Sequence, residues 1–182
     1  MSSEPHQQIV QALWPQGSAS TRSVWAVLDC ARDPAIYRLL LESRLEFLSL
    51  YSGRLPRELE MVSPHMVELL PGHRFVDQLL DQGWGRAWGI FLTIGDPSNL
   101  RHHLRKFLKV QDETGQRLLF RYYDPRVLRA YLPTCTPDEL RFVFGPVDSY
   151  CVEAADPDAG IVSYRLHRGA LQATTSALAA SA

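Results

Sequence analysis

Residues 120–147, FRYYDPRVLRAYLPTCTPDELRFVFGPV, join an aromatic strand end, two capped helix starts and a Phe-Gly-Pro turn in one continuous stretch. Leu118 to Tyr123 is rich in aromatic and branched residues and predicts a strand. Asp124 is placed to cap a helix whose first position, Pro125, has its φ already set and lacks an N–H that would be unpaired there anyway. Val127, Leu128, Tyr131 and Leu132 then recur on one helical face. Arg126 falls in the first turn, where the helix dipole disfavours a cation by roughly 0.3–1 kcal/mol. Another interaction is therefore expected to hold it, and a bidentate contact to a carboxylate, internal or on a partner, would suffice. Thr136 and Glu139 have capping-box spacing and predict a further short helix ahead of Phe144-Gly145-Pro146. The stretch reads as a surface for contact rather than chemistry.

Upstream, the same pattern of strand, Asp-Pro and helix repeats. Val24 to Leu28 is a compact apolar run, and Asp33-Pro34 starts a helix carrying Ile36, Tyr37 and Leu40 to about Leu45. Phe47 to Tyr51 and Met66 to Leu70 predict strands on either side of a Pro- and Gly-punctuated segment. Phe75, Val76, Leu79 and Leu80 predict a helix that stops near Gly83. Ala87 to Ile94 reads as a central strand. Asp96-Pro97 opens a helix whose Leu100, Leu104, Phe107 and Leu108 form an apolar stripe, with Arg101, His102, Arg105 and Lys109 opposite. Thr114-Gly115 marks a hairpin turn, and strands are predicted near 147–153 and 161–167. Alternating strands and helices predict a single α/β domain, a mixed sheet covered by helices, with a short C-terminal extension. The expected division is an N-terminal helix and Pro-Gly-Ser linker over 1–22, the main domain over 23–150, and a strand or hairpin with a flexible tail over 151–182. The last stretch, GALQATTSALAASA, reads as frayed or as a helix that needs a partner.

The chain has 182 residues, a formal net charge of −1 and 46% hydrophobic residues, which suits a folded domain with a sizeable core and no general attraction to nucleic acid or anionic membrane. Seventeen of its nineteen basic residues are arginine. Cys30, Cys135 and Cys151 are odd in number and widely spaced, which suggests neither a disulfide framework nor a zinc site and fits a reducing compartment. No signal-peptide pattern and no apolar run of membrane-spanning length occurs, so a cytoplasmic protein is expected.

Few residues suggest chemistry. His102 and His103 are adjacent on a helix, point about 100° apart, and cannot chelate one metal together. The basic face around them is either solvated or a contact for an acidic partner, and it lacks the interleaved aromatics of a nucleic-acid site. No P-loop, GxGxxG, GxSxG or HExxH motif is present. Cys30 reads as a buried structural thiol. Gly83-Trp84-Gly85-Arg86-Ala87-Trp88 fits either core packing or a groove lined by an exposed indole. Two rivals to a partner-binding domain are an enzyme with dispersed acid/base residues, in which Asp29, His103 and Asp124 would meet in a pocket, and a small regulatory binding module.

Several motifs, in order, resemble the adaptor or effector-chaperone family of bacterial type VI secretion. They are Trp25-Ala26-Val27-Leu28-Asp29 with Ala31-Arg32-Asp33-Pro34, and Gly83-Trp84-Gly85 with Trp88-Gly89-Ile90-Phe91-Leu92. His103-Leu104-Arg105-Lys106-Phe107-Leu108 and Phe120-Arg121-Tyr122-Tyr123-Asp124-Pro125-Arg126-Val127-Leu128 follow, and Phe144-Gly145-Pro146 closes the series. The resemblance implies a non-enzymatic cytoplasmic protein without a cofactor. Such a protein binds the N-terminal region of a cognate effector, including PAAR-containing segments or hydrophobic helices, and assists its loading onto the VgrG spike.

On that reading Trp84, Trp88, Tyr122, Tyr123 and Phe144 are the aromatic walls of a binding groove, with Arg121 and Arg126 as its directional donors. Asp33, Asp96, Asp124 and Thr136 are structural caps. A sheet edge offers a second place for an effector strand. The recognised segment is expected to be largely apolar and bound by burial, with little dependence on salt. A steep salt dependence would instead select the basic face at Arg101, Arg105 and Lys109.

Overall fold

In the computed structural model, residues 4–15, 22–111 and 114–178 are described. Strand β1 (Ser23–Asp29) is apolar at successive positions because both of its faces are covered. Val24, Ala26 and Leu28 point into one core and Val27 into the other. It lies between β3 (Pro64–Leu69) and β4 (Gly89–Ile94), with Ala26 opposite Val67 on one side and Phe91 on the other. The remaining strands are β2 (Phe47–Ser49), β7 (Val147–Glu153), β8 (Ile161–His167) and β9 (Ala170–Ser176), and the sheet runs β2-β3-β1-β4-β7-β8-β9.

The α/β class and the single helix-covered sheet stand, but every pairing in the sheet is antiparallel rather than mixed. The reason lies in how the helical crossovers interleave. Helix α2 (Pro34–Ser43) carries the chain from β1 to a parallel β2, and β3 then inserts antiparallel between them. Helix α4 (Arg74–Gly83) carries it from β3 to a parallel β4 on the far side of β1. Parallel strands are thus always separated by one of opposite direction, and no parallel ladder forms.

One face of the sheet is covered by α1 (Glu4–Leu13), α2 and α4, through Ile9, Leu13, Ile36, Leu40, Phe75 and Leu79. The other is covered by α5 (Leu100–Arg105), α6 (Pro125–Tyr131) and α7 (Pro137–Phe144). A separate hairpin, β5 (Lys109–Gln111) with β6 (Arg117–Leu119), adjoins that second layer. A short helix, α3 (Arg57–Val62), interrupts the segment between β2 and β3, where the sequence carries only turn signals.

Asp33 accepts the N–H of Ala35 at 2.8 Å, Asp96 that of Ser98 at 2.9 Å and Asp124 that of Arg126 at 2.9 Å. The carboxylate of Asp96 is held below its usual range chiefly by this backbone bond. Thr136 and Glu139 bond reciprocally, Glu139 N–H to Thr136 Oγ1 at 3.3 Å and Thr136 N–H to the Glu139 carboxylate at 2.6 Å.

Two stretches differ from their sequence reading. The strand expected to run through Tyr123 ends at Leu119, and the chain turns so that Tyr122 and Tyr123 enter the core. Residues 170–176, expected to be frayed or helical, form β9 against β8, because pairing to an existing strand supplies backbone partners that propensity alone does not predict. β8 and β9 thus continue the main sheet. The linker expected near 15–20 falls almost wholly outside the described residues, as does the end of the tail beyond 178. Among the described residues no helix is long and apolar enough to cross a membrane.

Candidate interaction surface

The aromatic groove expected from the sequence does not form, because most of its proposed wall is core. Tyr122 is fully buried, its hydroxyl donating to Leu104 O at 2.9 Å and its ring 4.4 Å from that of Phe107. Tyr123 packs edge-on to Tyr122, and Phe144 edge-on to Tyr150. Burial drives both the Tyr122 and Tyr123 hydroxyls far above the usual tyrosine range. Trp88 is buried against Gly83, where an added Cβ would lie 2.7 Å from the indole. Trp84 is half-buried, lies at 24° to the ring of Phe91, and donates from Nε1 to Pro157 O at 3.1 Å. Large aromatic side chains stabilise most when desolvated, and these are buried in or packed against the two cores flanking the sheet.

The arginines of the same segment have the opposite fate. Arg121 is exposed and pairs with Asp29, the last residue of β1, which is only 1% exposed. The other carboxylate oxygen of Asp29, Oδ1, has no hydrogen-bond partner among the described residues. Arg126 folds back on its own helix cap, Nε to Asp124 Oδ1 at 3.0 Å and Nη2 to Oδ2 at 2.6 Å. The carboxylate required to hold a first-turn arginine is therefore internal. Burial alone would push Asp124 up, but the side-chain and backbone bonds from Arg126 outweigh it and hold the carboxyl below its usual range.

A third buried carboxylate, Glu153 at the end of β7, accepts the N–H groups of Gly85 at 2.8 Å and Ala87 at 3.2 Å. It thereby clamps the turn that carries Arg86. Burial pushes its carboxyl up, and those two N–H groups partly offset the effect. Arg129 donates to the Glu153 carbonyl, and Arg32 donates from Nε to Arg86 O at 3.0 Å. Arg32 acts electrostatically on Asp124, and Glu153 and Asp29 act on Arg126. The result is one patch: exposed Arg32, Arg86, Arg121 and Arg126 seated over buried Asp29, Asp124 and Glu153. With 44% of the Arg121 side chain and 54% of Arg126 in solvent, guanidinium edges fixed from below remain open to carboxylates of a partner.

Asp29, His103 and Asp124, the dispersed acid/base trio, are each buried and each engaged by different groups. His103 donates from Nε2 to Val143 O at 2.8 Å and stacks edge-on with Phe107. His102, its neighbour, is exposed. Cys30, Cys135 and Cys151 are free thiols. Burial pushes the Cys30 thiol up to about 12, and Asp29 adds to the effect. The sequence reading passed over Leu55, Leu59 and Leu119, which line a surface cleft with Arg105 and Lys109. Their separation along the chain left no local pattern to find.

A family profile described as "Domain of unknown function (DUF4123)" matches residues 24–141. No curated protein and no solved structure matches the chain.

Proposed function

The chain belongs to the DUF4123 family, and from that membership, together with the motifs described above, we propose that it is a non-enzymatic type VI secretion adaptor. In this reading it binds the N-terminal region of a cognate effector in the cytoplasm and assists its loading onto the VgrG spike. The observation that carries the reading is the pair Arg121 and Arg126. They flank the core of FRYYDPRVL, the most distinctive element of the resemblance, and both are exposed guanidiniums held on buried carboxylates. A side chain already fixed in place loses less entropy when it meets a partner. The profile match spans the resembling motifs up to Leu128, while Phe144-Gly145-Pro146 lies just beyond it.

The test is co-expression with candidate effector and VgrG spike proteins from the same organism, followed by affinity capture at physiological salt. Retention of the effector or the spike is expected, and the Arg126→Ala variant should weaken it. Loss of both partners from the wild-type protein would overturn the reading.

A further inference from the structure

Helix α3 buries none of its side chains. Its Leu59, Met61 and Val62 are 41, 40 and 45% exposed, and Leu119 on the β5–β6 hairpin is 47% exposed. Leu59 and Leu119 line the same cleft, of about 360 Å³, whose floor includes buried Leu50 and Leu108. A six-residue helix gains little from propensity alone, and a lone hairpin is marginal in water. Both walls thus present exposed leucines that further burial would stabilise.

The charged residues lining the cleft, Arg105 and Lys109, are both cations. Neither forms an ion pair with a described residue. Arg101, one turn earlier, is committed to the fold: Nε and Nη2 donate to Ser49 O at 2.9 and 2.7 Å, and Nη2 also to Tyr51 O at 3.2 Å, fixing the wall at 49–51. The basic face of α5 and the leucine surface therefore meet at one place, apolar within and cationic at the rim.

We infer that this cleft seats an amphipathic segment of another protein, with apolar side chains entering between Leu59 and Leu119 and acidic side chains meeting Arg105 and Lys109. The volume lies in the range of sites that take a few anchoring groups. Burial supplies the affinity, and the two cations select the flanking charge. That the segment belongs to the effector rests on the adaptor reading; the cleft and the chemistry it selects do not.

The probes are three fluorescein-labelled peptides titrated against the full chain by anisotropy. The first has a leucine-rich amphipathic core flanked by glutamates, the second the same core flanked by lysines, and the third a serine core flanked by glutamates. The first is expected to bind about tenfold or more tighter than either of the others. Leu59→Asp with Leu119→Asp should abolish its binding, and Arg105→Glu with Lys109→Glu should reverse the preference toward lysine flanks. If the leucine variant fails to fold by circular dichroism, the charge reversal decides alone. Equal binding of all three peptides, no binding of the first, or unchanged flank preference after charge reversal would each overturn the inference. So would a wild-type dimer that Leu59→Asp dissociates, since a second copy would then fill the cleft. In the co-expression capture, effector retained equally by wild type and cleft variants overturns the cleft as the effector's seat while leaving the adaptor standing. Peptide binding with capture of neither partner does the reverse.

Discussion

Arg121 reaches across 92 positions of chain to pair with Asp29, so the exposed guanidinium on the loop after β6 ties down the buried end of the central strand β1. The pair is asymmetric, with the arginine 44% and the aspartate 1% exposed. Removing the arginine leaves a buried carboxylate without its charged partner. Arg121→Ala is therefore expected to destabilise the fold by about 1–3 kcal/mol in urea denaturation, and Asp29→Asn in the same background should recover part of the loss. A change indistinguishable from zero in Arg121→Ala would show that Asp29 draws its compensation from elsewhere.

Asp124 and Arg126 separate a stability role from a binding role. Asp124→Ala removes the cap of α6 and is expected to cost about 0.5–2 kcal/mol. Arg126→Ala keeps the backbone N–H that Asp124 accepts, so the buried carboxylate is not left bare as Asp29 would be, and with the guanidinium more than half exposed the change should cost at most about 1 kcal/mol, while weakening partner capture. Thermal melts run beside capture assays distinguish the two, and an Arg126→Ala protein that melts as early as Asp124→Ala would make the arginine structural.

Gly145 has φ of 47° and lies so close to His103 that a Cβ there would come within 2.4 Å of the ring. Gly145→Ala combines backbone strain with overpacking, and a loss of roughly 2–4 kcal/mol is expected. Because the clash is with one ring, the penalty should shrink in a His103→Ala background. A double-mutant cycle showing simple additivity would place the cost in the backbone alone.

Burial lowers the pKa of both His65 and His103 below the usual value of 6.5, with bonds to the Ser63 and Val143 carbonyls pulling partly the other way. Each is held neutral in the fold and protonates more readily once unfolded. Their contribution to stability is full above about pH 6.5 and is lost as the pH falls from there through the folded pKa values, at up to about 1.4 kcal/mol per unit per histidine. Urea denaturation at pH 7.5 and 5.5 should show the loss, and His103→Gln should lessen it. Equal stability at the two pH values would contradict the assignment.

The thiols should differ in reactivity. Cys30 and Cys151 are buried, with Cys30 pushed up to about 12, whereas Cys135 is half-buried. Iodoacetamide at pH 8 is expected to modify at most Cys135 in the native protein and all three cysteines in urea, as read by intact mass. Rapid native alkylation of Cys30 would mean that β1 opens far more readily than its burial implies.

Much of the architecture is legible along the chain because it is decided within a turn or two. A cap such as Asp33 on Ala35 joins atoms two residues apart, and the Thr136–Glu139 box atoms three apart. Leu100 and Leu104 recur at helical spacing on α5, although that helix ends at Arg105 and the expected stripe is completed by Phe107 and Leu108 from the turn after it, and the run at Val24 to Leu28 reports a strand covered on both sides. The single α/β domain follows from such local signals. What the tertiary structure alone decided is which faces meet. Strand direction depends on where β3 inserts, and β9 exists because β8 offers it an edge. Tyr122 and Arg121 are neighbours in sequence, yet one is core and the other surface, because the chain leaves β6 at Leu119 and turns inward. Leu59 and Leu119 line one cleft from distant positions, and no periodicity joins them. Local hydrogen bonds and patterning are properties of a segment, whereas burial belongs to the pair of surfaces that come together.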